Sequence, residues 1–236
     1  MHPVKLSIII PVLNEAQQLP NILTIATQAK TAEIILVDGG SQDETIELAL
    51  ANGLKLIQSE PGRAIQMNTG AAIATGDILL FLHADTQLPP NFETSINEIL
   101  HQPNTIAGAF QLKIEGNQPG LRWIERGVNW RSRYLQMPYG DQALFLRRAR
   151  FEQIGGFPNL PIMEDFELVR QLRQLGTIAI APTAVLTSGR RWQKFGILRT
   201  TLINQIVILA YLLGIPPQKI AHGYRTGFTL RRKSTY

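Results

Sequence analysis

Residues 5–15 read KLSIIIPVLNE. Lys5–Ile10 is an apolar, β-branched run of the kind that fits a pleated, buried surface, and Pro11 ends it because proline cannot donate to a strand ladder. Asn14-Glu15 then opens a helical pattern with Leu19, Ile22, Leu23 and Ala26 on one face, and Pro20 is tolerated in its first turn. The alternation continues outward from there. Glu33–Val37 (EIILV) is a second strand, stopped by Asp38-Gly39-Gly40-Ser41; Thr45–Ala51 is helical and Leu54–Ile57 is a third strand. Gly62–Ala74 returns to helical spacing, and Ile78–Leu82 (ILLFL) is a fourth strand before His83-Ala84-Asp85. Strands that are apolar on nearly every residue, separated by helices, imply a parallel sheet covered on both faces. The expected class is α/β.

Beyond Pro90 the pattern loosens. Phe92–Leu100 is a helix, Ile106–Ile114 a strand, Leu121–Leu135 a helix and Gln142–Leu146 a short strand. A helix runs from Glu164 to Leu175, followed by a strand at Thr177–Ala181, and Phe195–Leu213 is the last long helix, apolar all round in its second half. The expected division is a catalytic unit at 1–195 and a helical, basic extension at 196–236 within the same compact body.

With 236 residues, 44% of them apolar, the chain can bury a sizeable core. Its 33 Gly and Pro residues include no low-complexity run, which excludes disordered and fibrous classes. It holds no Cys, so disulfide scaffolds, Cys-ligated zinc and thiol nucleophiles are excluded, and a reducing cytoplasm is the expected compartment. The net charge of +5 is unevenly spread: residues 1–167 hold 12 basic and 18 acidic side chains, whereas residues 168–236 hold 11 basic and no acidic ones. The apolar window Ile206–Ile215 is ten residues, short of the roughly 20 needed to span a bilayer.

In an open parallel sheet the ligand sits beyond the carboxyl ends of the strands. Here those ends carry Pro11-x-x-Asn14-Glu15, Asp38-Gly39-Gly40-Ser41-x-Asp43 and His83-Ala84-Asp85. Carboxylates gathered at one edge repel unless cations or hydrogen-bond donors join them. Neither the dinucleotide-binding nor the phosphate-loop glycine pattern follows the first strand, which argues against a dehydrogenase and a P-loop NTPase.

The strings SIIIPVLNEA, EIILVDGGSQDET, GRAIQMNTGA, LHAD, MEDFELVRQL and GRRW resemble, in order and spacing, the motifs of family-2 glycosyltransferases. The resemblance runs from about residue 5 to about residue 195 and is nearest to the compact bacterial radical-SAM/selenodomain-associated transferases. It implies a GT-A, Rossmann-like fold, a mostly parallel sheet with helices on both faces, and transfer of a sugar from a nucleotide-diphosphate sugar to an acceptor hydroxyl, with inversion. It also implies a divalent cation, Mg2+ or Mn2+. Asp85 matches the last aspartate of the family's D-x-D metal motif; the first position is His83, which can meet metal or phosphate or serve the loop structurally.

On the donor side the resemblance places Pro11, Asn14, Glu15, Asp38 and Asn68, with Gly39 where relatives carry a second aspartate. Asp38 equally suits a turn before two glycines. Met67 stands where many relatives carry an arginine, and Arg63, on a similar helical face, can supply that charge. Asp165 matches the catalytic aspartate and Glu164 falls on the acceptor side, although both also suit a helix start. Arg190 and Arg191 are expected at the diphosphate, and Trp192 at the acceptor or in the core. Ser188, where processive relatives carry Gln, argues against a polysaccharide synthase.

Competing readings are a sugar-nucleotide pyrophosphorylase, whose Gly-rich loop is absent, and a nucleic-acid-binding protein, for which no motif is present. The basic, apolar C-terminal third, with Lys219, Arg225, Arg231, Arg232 and Lys233, predicts peripheral attachment to the cytoplasmic face of an anionic membrane and a lipid-like acceptor. Packing of Ile206–Leu213 against the catalytic domain or a second subunit is the alternative.

Overall fold

Strand β1 (Leu6–Val12) lies inside the sheet, buried on both of its faces. Ile8 and Ile10 point into one core with Leu36, Leu80, Phe110 and Phe145. Ile9 points into the other with Ile35, Val37, Leu79 and Phe81. A continuous apolar run thus serves two cores through the two-residue period of a strand. The computed structural model describes residues 5–29 and 31–229; the expected basic cluster at Arg231, Arg232 and Lys233 lies outside them.

Within that range β2 (Glu33–Asp38), β3 (Lys55–Gln58) and β4 (Ile78–Phe81) extend the sheet in parallel, as the sequence predicts. The order is β3-β2-β1-β4-β7-β6-β8-β5, with β5 at Thr86–Gln87, β6 at Thr105–Ile114, β7 at Phe145–Arg147 and β8 at Thr177–Thr187. The first core is covered by α1 (Leu19–Gln28), α2 (Thr45–Ala51), α4 (Phe92–Leu100) and α5 (Pro119–Leu135). The second is covered by α3 (Arg63–Ile73), α6 (Arg148–Gln153) and α7 (Glu164–Leu175), with Val207 of α9 (Ile197–Leu212) and Ile220 of α10 (Pro217–Thr229).

β7 runs antiparallel to β4 and β6, and β5 to β8, whereas the other pairs are parallel, in keeping with the mostly parallel sheet of the expected fold. The departures from expectation lie elsewhere and have local causes. The expected strand at Gln142–Leu146 begins instead as a 3-10 turn at Gly140–Gln142, because Ala143 adopts φ 51° and Gln142 spends its side chain on Ser132 and the Phe110 carbonyl. β8 does not stop at Ala181. Pro182 is carried where the register with β6 slips between Ala109↔Ile180 and Gln111↔Ala184, so its missing N–H breaks no ladder bond. The helix expected at Phe195–Leu213 is α9, which starts two residues later because Gly196 turns the chain with φ 85°; a further short helix, α8 (Arg190–Phe195), precedes that turn. The sequence reading missed β5, α6, α8 and α10.

A partly buried network closes the edge of the sheet opposite the strand carboxyl ends. Glu33 accepts hydrogen bonds from Ser7 Oγ (2.8 Å), Thr75 N (2.8 Å) and Lys55 Nζ (2.7 Å). Burial pushes the Glu33 carboxyl up, but these donors outweigh it and hold the group at about 2. A carboxyl depressed from 4.5 adds stability that is complete above pH 4.5 and lost as pH falls toward 2. Glu33→Gln is therefore expected to lower stability by about 1–3 kcal/mol at neutral pH. Chemical-denaturation midpoints of the two proteins should converge as pH drops through that window; a gap that persisted at acid pH would show a packing effect instead.

Candidate active site

β5 pairs antiparallel with the end of β8, Thr86 facing Thr187, and Ser188 N donates to the Asp85 carbonyl at 3.1 Å. The start of α8 is thereby held against the loop that follows β4. Arg190 Nη2 lies 3.4 Å from Asp85 Oδ2 and 3.8 Å from Glu15 Oε2, bridging the acidic ends of β4 and β1. Burial raises the Glu15 carboxyl, with Arg190 opposing the shift and Asp85 and Asp43 adding to it. The repulsion expected at this edge is present, and an arginine answers it.

α7 approaches from below the sheet, anchored by Phe166, Leu168, Val169 and Leu172. Asp165 Oδ2 accepts the Gly140 N–H at 2.7 Å, and Oδ1 takes the Phe166 N–H at 2.7 Å. A Cβ on Gly140 would sit 3.1 Å from His83 Nε2 and 3.2 Å from Asp165 Oδ2, so this glycine lets the loop pass between the two. Glu164 Oε1 pairs with Arg63 Nη1 at 3.2 Å. Its carboxyl is raised, first by burial and then by Asp165, against the pull of Arg63. His83 is pushed down to about 3 by burial and by Arg63 and Arg191, so its imidazole is neutral.

These residues surround a cleft of about 590 Å³. The strand ends and α7 give it polar walls with Glu15, His83, Asp85, Asp165 and Arg190. α5, α8 and α9 give it apolar ones, with Ile124, Val128, Trp192, Val207 and Ile208. Trp192 both lines the cleft and packs on the first core, and its indole N–H is buried without a protein acceptor. Arg191 also lines the cleft and donates to Tyr224 Oη of α10 at 2.6 Å.

Residues 7–155 match the family described as glycosyl transferase family 2. The chain belongs to that family. Among curated relatives, the PGL/p-HBAD biosynthesis glycosyltransferases of Mycobacterium tuberculosis and Mycobacterium bovis are 32% identical over 221 residues, covering 84% of this chain and 80% of each relative. Among solved structures, a mannosyltransferase from Pyrobaculum calidifontis in complex with GDP-Man and Mn2+ superposes with a TM-score of 0.67 at 21% identity, covering 94% of this chain and 69% of that one. Glucosyl-3-phosphoglycerate synthase from Mycobacterium tuberculosis, in complex with Mn2+ and UDP-glucose, gives 0.60 at 18% identity, covering 90% and 80%. The shared fold is GT-A, and this chain is a glycosyltransferase.

Not every expected site residue of this family-2 glycosyltransferase reaches the cleft. Asn68 does not: its amide donates to the Phe157 carbonyl at 2.8 Å and accepts the Phe157 N–H at 2.9 Å, a strut between α3 and the loop before α7. Gly70, its partner in the motif, serves packing, since a Cβ there would come within 2.5 Å of Ile9. Asp38 is fully buried and caps its own loop, accepting from Gly40 N at 2.8 Å and Ser41 N at 3.1 Å, which is the turn role the sequence also allowed. Asn14, at φ 55°, accepts from Gln42 N and so ties the ends of β1 and β2 together; Pro11 lies within β1, paired with Val37.

The residues present suit a divalent cation that arrives with a ligand. Among the described residues no three His, Asp or Glu side chains form a ready metal cage. Mg2+ and Mn2+ are commonly held by one or two carboxylates together with phosphate oxygens. Asp85 could offer one such carboxylate and His83 a neutral nitrogen.

Asp141 is the residue the sequence reading missed. It sits in the 3-10 turn that also presents Gly140 to Asp165, and it lines the cleft. Its Oδ1 is buried with no hydrogen-bond partner among the protein atoms. Burial raises its carboxyl to about 6, with Arg131 pulling down and Asp165 and Asp85 pushing up. The only signal in the sequence is the polar run Gly140-Asp141-Gln142 at the start of the expected strand Gln142–Leu146. An acid raised from 3.8 costs stability wherever it is ionised, fully so above about pH 6. Asp141→Asn is expected to raise stability above pH 6 by about 1–2 kcal/mol while weakening transfer. Melting temperatures at pH 5 and pH 8 check this: the gain should grow with pH, and a loss of stability at pH 8 would contradict it.

Proposed function

We propose that this glycosyltransferase uses a nucleotide-diphosphate sugar, takes Mg2+ or Mn2+ at Asp85 and His83, and transfers the sugar to an acceptor hydroxyl with inversion. The observation that carries the reading is the meeting of Asp85, Arg190 and Glu15 from the strand ends with Asp165 from α7 in one cleft. Asp165 takes the proton of the acceptor hydroxyl, whose oxygen forms a bond to the anomeric carbon as the bond to the diphosphate breaks and the electron pair leaves with it. Gly140 N–H and Phe166 N–H hold the Asp165 carboxylate in place for that role. Arg190 and Arg191 meet the charge on the leaving diphosphate, and Arg63, held by Glu164, adds a positive charge beside His83. The cation, when bound, would neutralise the diphosphate further.

The loops after β1 and β2, shaped by Asp38 and tied together by Asn14, frame the nucleotide side, where Glu15 lines the cleft, and the apolar walls with Trp192 and Glu164 the acceptor side. Asp141, whose Oδ1 has no partner among the protein atoms, accepts from a sugar hydroxyl. Within the family, the order of the six motifs supports placement in the compact bacterial radical-SAM/selenodomain-associated subgroup. Neither the pyrophosphorylase nor the nucleic-acid reading gains support from the family match. The test is a transfer assay with a hydroxyl-acceptor panel and NMR of the anomeric proton. Inverted product from a nucleotide sugar is expected; retained configuration would contradict the single displacement.

A further inference from the structure

We propose that the outer faces of α5 and α9 form a surface that seats the protein on an anionic lipid bilayer. The inference rests on this surface and not on the sugar-transfer reading. Along α9 and its C-terminal cap the side chains Leu198, Leu202, Ile206, Leu209 and Leu213 recur at helical spacing and are 86%, 62%, 55%, 58% and 72% exposed. The opposite face is occupied: Val207 is buried in the second core, Ile203, Ala210 and Tyr211 pack on it, and Tyr211 Oη donates to Glu167 at 3.0 Å. On α5 the exposed stripe is aromatic and basic. Trp123, Trp130 and Tyr134 lie outward, Trp130 and Tyr134 with ring centroids 5.9 Å apart and Arg126 over the Trp123 ring at 5.1 Å. Its inward face holds Leu121 and Ser132, and its one acid, Glu125, is buried and paired with Arg122.

The two helices touch where Gly120 meets Ile197, and the inner face of each lines the cleft through Ile124, Val128, Val207 and Ile208. Five aliphatic and three aromatic side chains left in water on adjoining helices exceed the scattered exposure of an ordinary surface. Tyr and Trp with neighbouring arginines suit the headgroup level, where one end of the side chain is apolar and the other wet. No helix among the described residues is long and apolar enough to cross a membrane. The seat is therefore interfacial, in the manner of an amphipathic helix lying in the plane.

Charge separates a bilayer from a second copy of the chain as the occupant. Lys194, Arg199, Lys219 and Arg225 lie on α8, α9 and α10, and no acid follows Glu167 anywhere in the sequence. A two-fold contact would set this basic surface against itself, whereas an anionic leaflet attracts it. A hydroxyl-bearing amphiphile held in that leaflet would meet the cleft through the helices whose inner faces form its apolar walls.

Flotation with phosphatidylcholine vesicles, with and without phosphatidylglycerol, tests the proposal, alongside sedimentation velocity. The wild-type chain is expected to float with anionic vesicles at low salt and to be released at high salt. L202E/L209E, on exposed positions outside the cleft, is expected to lose more than about tenfold in vesicle affinity with its melting temperature unchanged. W123A/W130A provides a second variant with the same expectation should the first fail to fold. No flotation with anionic vesicles, flotation untouched by both variants, or a wild-type dimer that the variants abolish would each overturn it, the last assigning the face to a second copy.

Discussion

Asp165→Asn is expected to keep donor binding within about twofold while transfer falls by roughly 10²–10⁴, the scale of a positioned general base. The geometry makes this a clean substitution. An Asn at 165 can still accept the Gly140 N–H through its amide oxygen, so the loop that carries Gly140 and Asp141 stays where it is. What is lost is the capacity to take a proton. The competing role for this acid is favourable charge at the start of α7, where Glu164, Asp165 and Glu167 cluster, and such a contribution is typically below about 1 kcal/mol of stability. Single-turnover measurements separate the two. A drop of only a few-fold in transfer, with a lowered melting temperature, would assign Asp165 to the helix and not to the chemistry.

Asp85→Asn is expected to abolish metal-dependent nucleotide binding, with the fold intact. Asp85 sits on the loop after β4, its backbone carbonyl tied to Ser188 N and its carboxylate met by Arg190 at 3.4 Å. Neutralising it removes the anionic oxygen that Mg2+ or Mn2+ favours and leaves Arg190 facing Glu15 alone. Isothermal titration with nucleoside diphosphate, with and without Mn2+, reads the effect directly. A Mn2+-dependent affinity equal to that of the wild-type chain would remove Asp85 from the metal site.

The parallel half of the sheet was legible because its physics is local. β1 and β2 are short apolar runs, β2 closed by the Asp38-Gly39-Gly40 turn while β1 runs through Pro11, where it was expected to stop, to Val12; α2, α4 and α7 were read to the residue because their apolar faces follow the helical period. What stayed hidden depends on contacts far apart in the chain. β5 is two residues long and exists only because Leu186 and Thr187 are there to pair with it. Strand β8 crosses Pro182 because a slip in register on β6 absorbs the missing donor. The candidate site divides in the same way. Asp85, Asp165, Arg190 and Trp192 were found through motifs, whereas Asp141 gained its raised acidity range and open oxygen from burial beside Arg131 and Asp165, which no neighbour in sequence reveals. Asn68 belongs to a motif yet serves a loop, because its partner, Phe157, lies 89 residues away.

The central claim, that the cleft binds a nucleotide-diphosphate sugar with a divalent cation, is tested most directly by thermal shift. The wild-type chain is screened against UDP-, GDP- and dTDP-sugars with and without Mn2+. A ligand near 100 times its dissociation constant adds about 2.7 kcal/mol, or about 5–10 °C for a chain of this length. At least one donor is expected to give such a shift with Mn2+ and a much smaller one without it. No shift with any donor, in the presence or absence of Mn2+, would contradict the account.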